Sequence, residues 1–483
     1  MNGHASSLLL ERILRELPRR YRLPALPALS SVTKDMPLRS DPDSSFVREP
    51  ATAPGAFQRQ TSPSTAIALA IEHARRSAAE DGKPDPALKP VFIDALAALI
   101  HEAMREKGGD PAFQAMVLRQ RAVPVREYAS LAAHIHQDER RVHELVNAIA
   151  HPAKLRRLPP GRQRDALTEL HDSAAAASWS AVSGIAHHLL AMPDTAAESP
   201  IGRSLAQLLA GPSLNRLLRL DTLKTDEQVR KYQILWDRQG PRARSRTAAV
   251  QGAASRRRGI AVETLATQGL EALARRLNEA WEGGPPYRVV TSMRVPASLP
   301  ASPDRAKTEW DAVLLKQAAC AGAATVWDVC LLVEAKASVD AASTDLPRLL
   351  RGLRLLAHAE EGRAYSFETR QGAISLRGAS LRALPTDEAS LAGSVLYCCD
   401  APADAVPRLL GAASRMQLLS ATESLEFAAA LVETRHADRR MLEPVWQRLL
   451  GSPPWRAVLH QYPLLRQARE LMVHAGDLMA SLR

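Results

Sequence analysis

TEWDAVLLKQAACAGAATVWDVCLLVEAKAS, residues 308–338, holds two apolar runs on either side of a small-residue turn, with carboxylates and a lysine at their outer ends. Residues 309–316 and 326–337 are rich in Val, Leu, Trp and Cys and bounded by Gly, Ala and Thr, too short and too β-branched to prefer helix, and they predict a β-hairpin. Facing positions of an antiparallel pair have a constant index sum, so a turn near residues 321–323 sets Asp311 opposite a residue near Glu334 and makes the two carboxylates neighbours. Side chains alternate along a strand, which sends Glu334 and Lys336 to one face and Ala335 to the other. Two carboxylates and an ammonium on one spot are costly unless solvated, paired or bound to a cation. The pair of acids suggests a hard, oxygen-ligated ion, Mg²⁺ or Mn²⁺, with Lys336 placed to orient or activate a water beside it. Asp328 shares the parity of Glu334 but lies roughly 20 Å back along an extended strand, and reads as a surface residue near the turn.

At these residues the chain resembles the PD-(D/E)XK nuclease superfamily, the restriction-endonuclease-like fold, whose signature is an acidic residue on one strand and Glu-x-Lys on the next. Here these are Asp311 and Glu334-Ala335-Lys336, with Trp310 where the name-giving proline would stand. That fold runs helix, three strands, helix, strand, and the same order can be followed over residues 259–400. Residues 259–281 read as an amphipathic helix with Val262, Leu265, Ala266, Leu270, Leu273 and Leu277 on one face. Residues 287–295 give a first strand and the hairpin the second and third. Residues 344–360 give a second helix, capped by Ser343 or Thr344, with Leu346, Leu349, Leu350, Leu353 and Leu356 inward. Residues 365–384 look like an inserted hairpin, and 394–400, SVLYCCD, like the closing strand. The resemblance implies that Asp311 and Glu334, with the Ala335 carbonyl, hold the metal, that Lys336 serves the attacking water, and that Glu263 on the first helix completes the acidic set, Glu271 lying two turns on.

The fold class expected is an α/β restriction-endonuclease-like core with a large all-helical N-terminal domain and a helical C-terminal extension. A chain of 483 residues, 46% hydrophobic and 24% charged, can bury more than one core. Residues 1–64 divide into a short amphipathic helix and an arm, 21–64, of Pro, Ser and Asp that reads as disordered or loosely attached. Residues 65–237 are helical in pattern, with segments at 90–107, 125–150, 161–192 and 201–220 broken by Gly and Pro. Residues 401–483 continue as helices through 425–432, 442–450 and 464–482.

A net charge of +11 suits polyanions. Residues 238–258 carry seven arginines and no acid. Of these Arg242, Arg244, Arg246, Arg256, Arg257 and Arg258 are the candidates for holding a nucleic-acid backbone, the other reading being a solvated interdomain linker. Arg348, Arg351 and Arg354 read as a solvated helix face. The four cysteines, Cys320, Cys330, Cys398 and Cys399, lack C-x-x-C spacing and suggest a reducing compartment. No apolar run is long enough to span a bilayer and no signal-peptide region begins the chain, so a cytoplasmic protein with no membrane partner is expected. His134, His136, His143, His151, His187 and His188 read as helical surface residues, since no H-E-x-x-H or cysteine-histidine spacing accompanies them. Walker, G-x-G-x-x-G and G-x-S-x-G motifs are missing, which leaves NTP-driven, dinucleotide and α/β-hydrolase chemistry without support.

The function these readings predict is metal-dependent hydrolysis of phosphodiester bonds in DNA. The alternative is a catalytically inactive nuclease-like module that binds nucleic acid or a protein partner, with the helical domain as the partner surface; a third reading is a helical scaffold with an incidental hairpin. For a double-strand cutter of this fold the resemblance implies a homodimer.

Overall fold

The computed structural model describes residues 3–23, 26, 62–80, 82–193, 195, 198–240, 245–280, 286–318, 325–387, 390–404 and 407–482. The chain forms two compact units: Met1–Leu99, Ala243–Leu418 and Leu442–Arg483 in one, Ile100–Arg242 and Leu419–Met441 in the other. The punctuation at 65, 237 and 400 marks other boundaries. The difference lies in where apolar faces find partners. Phe92, on the helix Leu88–Ala103, stacks on Trp446 with ring centroids 5.0 Å apart in the first unit, whereas Thr422–Thr434 packs on Pro111–Arg121 in the second.

The first unit is built on a seven-stranded mixed sheet. Strands β1 (Tyr287–Arg294), β2 (Glu309–Gln317) and β3 (Val326–Ala335) form an antiparallel meander. Beyond β3 come the hairpin β4 (Ala364–Phe367) and β5 (Ile374–Arg377), then β6 (Val395–Cys399) and β7 (Met472–His474). The first half of β3 pairs with β5 and its second half with β6, both parallel, and β7 extends the sheet from β6. A single bridge, Arg294↔Glu368, brings the β4 end back onto β1.

Strands β2 and β3 are covered on both faces, which is why they read as unbroken apolar runs. Ala312, Leu314, Leu331 and Val333 pack under the long helix Arg246–Glu279, whose Ala266, Leu270, Leu273 and Leu277 are buried. Val313, Leu315 and Leu332 pack under the crossover helix Val339–Ala357 through Leu346, Leu349, Leu353 and Leu356. The N-terminal helix Gly3–Glu16 joins the first of these cores through Leu10, Ile13 and Leu14.

Several expectations need correction. The long helix begins at Arg246, capped by the Ser245 hydroxyl, so Arg246, Arg256, Arg257 and Arg258 are helical and not in a linker; Arg242, Arg244 and Trp281 lie outside the described residues. Leu265 is 39% exposed and not part of the buried stripe. The crossover helix starts five residues early because the Ser338 hydroxyl accepts the Ala341 N–H, so Ser343 and Thr344 are interior. Tyr21 is buried, its hydroxyl donating to the Ala401 carbonyl at 2.5 Å, so the expected arm is anchored at its start; residues 27–61 lie outside the description. The segments expected at 125–150 and 161–192 are each two helices, as at Val123–Ala132 and Ile135–Ala150, whereas 201–220 divides at Gly211-Pro212, where its sequence break is expected. Residues 464–482 are interrupted by β7. In the second unit the expected helical character holds, around a core that includes Val142, Val146, Leu167, Leu170, Val182 and Leu217. Among the described residues no helix is long and apolar enough to cross a membrane.

Candidate active site

The β2–β3 ladder positions the acids. Ala312 faces Val333, so Asp311 and Glu334 stand one step further along the same register, and the Ala335 N–H donates to Asp311 Oδ2 at 2.8 Å. Nearer the turn the register shifts: Leu314 faces Leu331 but Leu315 faces Val329, leaving Cys330 as an extra residue. That bulge reverses the alternation, so Asp328 does not share a face with Glu334 as strict parity would have it. Asp328 is instead gripped by Arg377 at 2.6 and 2.8 Å.

Glu334 is fully buried. Its Oε2 receives two ammonium groups, Lys307 Nζ at 2.6 Å and Lys336 Nζ at 3.2 Å. Lys336 Nζ also lies 3.2 Å from Asp345 Oδ2, which accepts the Tyr397 hydroxyl at 3.2 Å. Glu334 Oε1, by contrast, is buried and has no hydrogen-bond partner among the described residues. Burial, then the neighbouring Asp311, raise the Glu334 carboxyl to about 8 against the pull of Lys307 and Lys336. Burial also works against the Lys336 ammonium, but Glu334, Asp345 and Asp311 outweigh it and hold its pKa above the ordinary lysine value. Lys336 is therefore a permanent cation near neutral pH, suited to fixing a water or offsetting negative charge and unsuited to removing a proton.

Asp311 opens in the other direction, into a cleft of about 550 Å³. The long helix lines one side with Glu263, Thr267 and Glu271, and Thr291, Ser292 and Arg370 line the rest. Burial and Asp311 raise the Glu263 carboxyl, with Arg370 and Lys336 pulling it down, which places Glu263 within electrostatic reach of both strand residues. The four predicted site residues Asp311, Glu334, Lys336 and Glu263 are thus gathered in one place, and Glu271 lines the same cleft.

Sequence reasoning did not single out Lys307, Asp345, Tyr397 or Arg370. Lys307 reaches Glu334 only because its loop is pressed onto the crossover helix: the Lys307 N–H donates to the Arg348 carbonyl, and the Arg351 Nε to the Arg305 carbonyl at 2.8 Å. Gly352 makes room, since a Cβ there would stand 2.8 Å from both the Lys307 Cβ and its carbonyl oxygen. Nothing periodic in the sequence marks that contact. Arg256 and Arg257 lie on the turn before Ile260 and Glu263, on the cleft side of the helix by its three- and four-residue spacing, while Arg258 is 3.9 Å from Asp400. Arg348, Arg351 and Arg354 form an exposed stripe on the crossover helix.

Among the described residues no three His, Cys, Asp or Glu form a metal-coordinating group. Mg²⁺ is commonly held by one or two carboxylates, with water and substrate phosphate supplying the rest. The two acceptors suited to that arrangement are the unpartnered Glu334 Oε1 and the Asp311 oxygen not taken by Ala335. Buried Cys398 and half-buried Cys330 have thiols pushed up to about 12 by burial, so neither offers a thiolate. No family model matches this chain, nor does any curated protein or solved structure.

Proposed function

We propose that the chain is a metal-dependent nuclease hydrolysing phosphodiester bonds in DNA, on a core of restriction-endonuclease-like type. The observation that carries this reading is the junction of Asp311 and the Glu334-Ala335-Lys336 step on paired strands, facing Glu263 across a cleft. The helix, three strands, helix, strand order of the sheet unit supports the same fold.

Asp311 and Glu334, with the Ala335 carbonyl, would hold Mg²⁺ or Mn²⁺; a bound ion would supply Lewis-acid polarisation of the phosphoryl oxygen and of a water. The residues themselves do the rest. Lys336, kept cationic by its three carboxylate neighbours, fixes the attacking water and offsets charge on the pentacovalent phosphorane. Glu263, with its raised pKa, accepts the water proton as the new P–O bond forms. The bond to the leaving oxygen breaks, and that oxygen takes a proton from solvent. Arg256 and Arg257, on the helix face that carries Ile260 and Glu263, would extend the site as a backbone-binding surface.

A second reading is favoured by one contact. Lys307 Nζ lies closer to Glu334 than Lys336 does, which is what a degenerate site that binds nucleic acid without cutting would show. The experiment compares cleavage of supercoiled and linear, single- and double-stranded DNA by wild type and Lys336→Ala, in Mg²⁺, Mn²⁺ or EDTA. Metal-dependent cutting reduced at least about 10³-fold in the variant supports the nuclease, that being the scale of one lost electrostatic contact to a transition state. No cutting by either protein, with salt-sensitive binding by both, supports the binding module.

A further inference from the structure

We propose that the β4–β5 turn, residues 368–373, is a phosphate clamp whose Arg370 holds a backbone phosphate of the nucleic acid at the mouth of the acidic cleft. The inference rests on the nucleic-acid substrate proposed above and adds a residue and a position to it.

The turn is built to aim Arg370. Its backbone N–H donates to the Thr291 carbonyl at 2.9 Å. The next side chain clasps the same residue from both sides: Gln371 Oε1 accepts the Thr291 N–H at 2.9 Å and its Nε2 donates to Thr291 Oγ1 at 3.0 Å. Within the turn the Thr369 hydroxyl donates to the Gly372 carbonyl at 2.6 Å and accepts the Gln371 N–H at 3.1 Å, and Gly372 takes a φ of +103° that a side chain would resist. One residue earlier the Arg294 N–H donates to the Glu368 carbonyl. An ordinary hairpin tip projects into solvent; this one is fastened along β1.

The fastening point is the position beside the acids. Thr291 and Met293 of β1 face Ala312 and Trp310, so Ser292 between them stands level with Asp311. Ser292 has a φ of +51°, a left-handed conformation that costs an L-residue about 1 kcal/mol or more and concentrates at binding sites. Arg370 lines the same cleft as Asp311 and is near enough to pull the Glu263 carboxyl down. Yet among the described residues its guanidinium makes no hydrogen bond or ion pair. A rigidly delivered, unpaired arginine beside two carboxylates suits a ligand that bridges both charges: a phosphodiester, whose oxygens take the guanidinium on one side and a carboxylate-bound cation on the other. Arg256 and Arg257, about two turns before Glu263 on the long helix, share by helical spacing the face that carries Ile260 and Glu263, so a strand leaving the cleft along that face meets further cations.

The test is binding of a labelled single-stranded and a duplex oligonucleotide to the full chain, by fluorescence anisotropy in Ca²⁺ across a salt series. All variants are made on a Lys336→Ala background to prevent turnover. Arg370→Ala is expected to weaken binding about tenfold and to lower the salt slope by about one. Arg370→Lys keeps the slope but not the full affinity. Gln371→Ala, which frees the turn while leaving the charge, loses a few-fold with the slope intact. Thermal midpoints within about 2 °C of the parent exclude misfolding. Unchanged affinity and slope in Arg370→Ala overturn the clamp and leave the nuclease reading standing; a parent that binds neither oligonucleotide overturns both. Arg370-dependent binding by a wild type that never cuts upholds the clamp and removes the nuclease.

Discussion

Asp138 in the helical unit and Glu334 in the sheet unit are both almost completely shielded carboxylates, yet they are treated in opposite ways. Asp138, in the first turn of the helix Ile135–Ala150, receives Arg216 on both oxygens, Nε on Oδ2 at 2.8 Å and Nη2 on Oδ1. The Arg216 hydrogen bonds hold its carboxyl below the ordinary range against the cost of burial. Among the described residues Glu334 has two cations on one oxygen and none on the other, and its carboxyl is raised to about 8. A carboxylate that serves structure is saturated, because an unmet buried oxygen costs stability. One kept open at that cost is a mark of function. The same contrast separates the saturated Asp328–Arg377 pair from Asp311, whose free oxygen faces the cleft.

The contrast can be broken most forcefully at Lys307. Lys307→Met leaves Glu334 without its nearest counter-charge and is expected to cost about 3 kcal/mol at pH 8.5, the scale of a broken buried pair. Urea unfolding measures it. The loss shrinks at pH 6, where Glu334 takes up a proton; a cost independent of pH would mean that the pair is only packing. Asp138→Ala should cost less, about 2 kcal/mol, because the surviving Arg216 is 39% exposed and regains water. It should leave metal affinity untouched, whereas Asp311→Asn should abolish metal-induced thermal stabilisation.

Gly352→Ala comes next, at about 1–2 kcal/mol, since the added methyl collides with Lys307 backbone that cannot turn aside. A drop in metal affinity alongside that cost would show that the helix seats Lys307 for the sake of the site.

The pH dependence sharpens the comparison more finely, through two slopes of opposite sign. The raised pKa of Glu334 means that between the ordinary carboxylate value, about 4.3, and about 8 the folded state holds a proton that the unfolded chain has lost. Stability of the metal-free protein therefore falls as pH rises through that window, and Glu334→Gln flattens this slope. Asp138, with its lowered pKa, stabilises the fold above about 3.9, and that contribution disappears as pH falls through its folded value. Melting temperatures of wild type, Glu334→Gln and Asp138→Asn from pH 3 to 9 separate the two; a Glu334→Gln curve parallel to wild type would refute the first.

Much of the site was legible because hairpin register is local arithmetic. The apolar runs of β2 and β3 and the index sum that opposes Asp311 to Glu334 depend only on residues close in the chain, and the ladder follows them to within the Cys330 bulge. Helix periodicity gave the buried face of the long helix for the same reason, although Leu265 strays from that face; Glu263 came only from the family resemblance. The cap at Ser338 was not decidable, since Ser338, Ser343 and Thr344 all offer a hydroxyl and only packing of Val339 and Ala342 selects the first. Nor was β7: three residues inside a helical pattern become a strand only because β6 presents an open edge.

By itself the sequence determined the run from the long helix through β1, β2 and β3 to the crossover helix, the pairing of β2 with β3, and the meeting of Asp311 with the Glu334-Ala335-Lys336 step. Those features follow from alternation and periodicity, which act over a few residues. Tertiary structure alone decided that Lys307 would seal one Glu334 oxygen, that Asp345 and Tyr397 would hold Lys336 in place, and that Arg370 would be fastened beside the acids. Each of these joins residues far apart in the chain, across surfaces whose separation is set by packing of whole helices on the sheet.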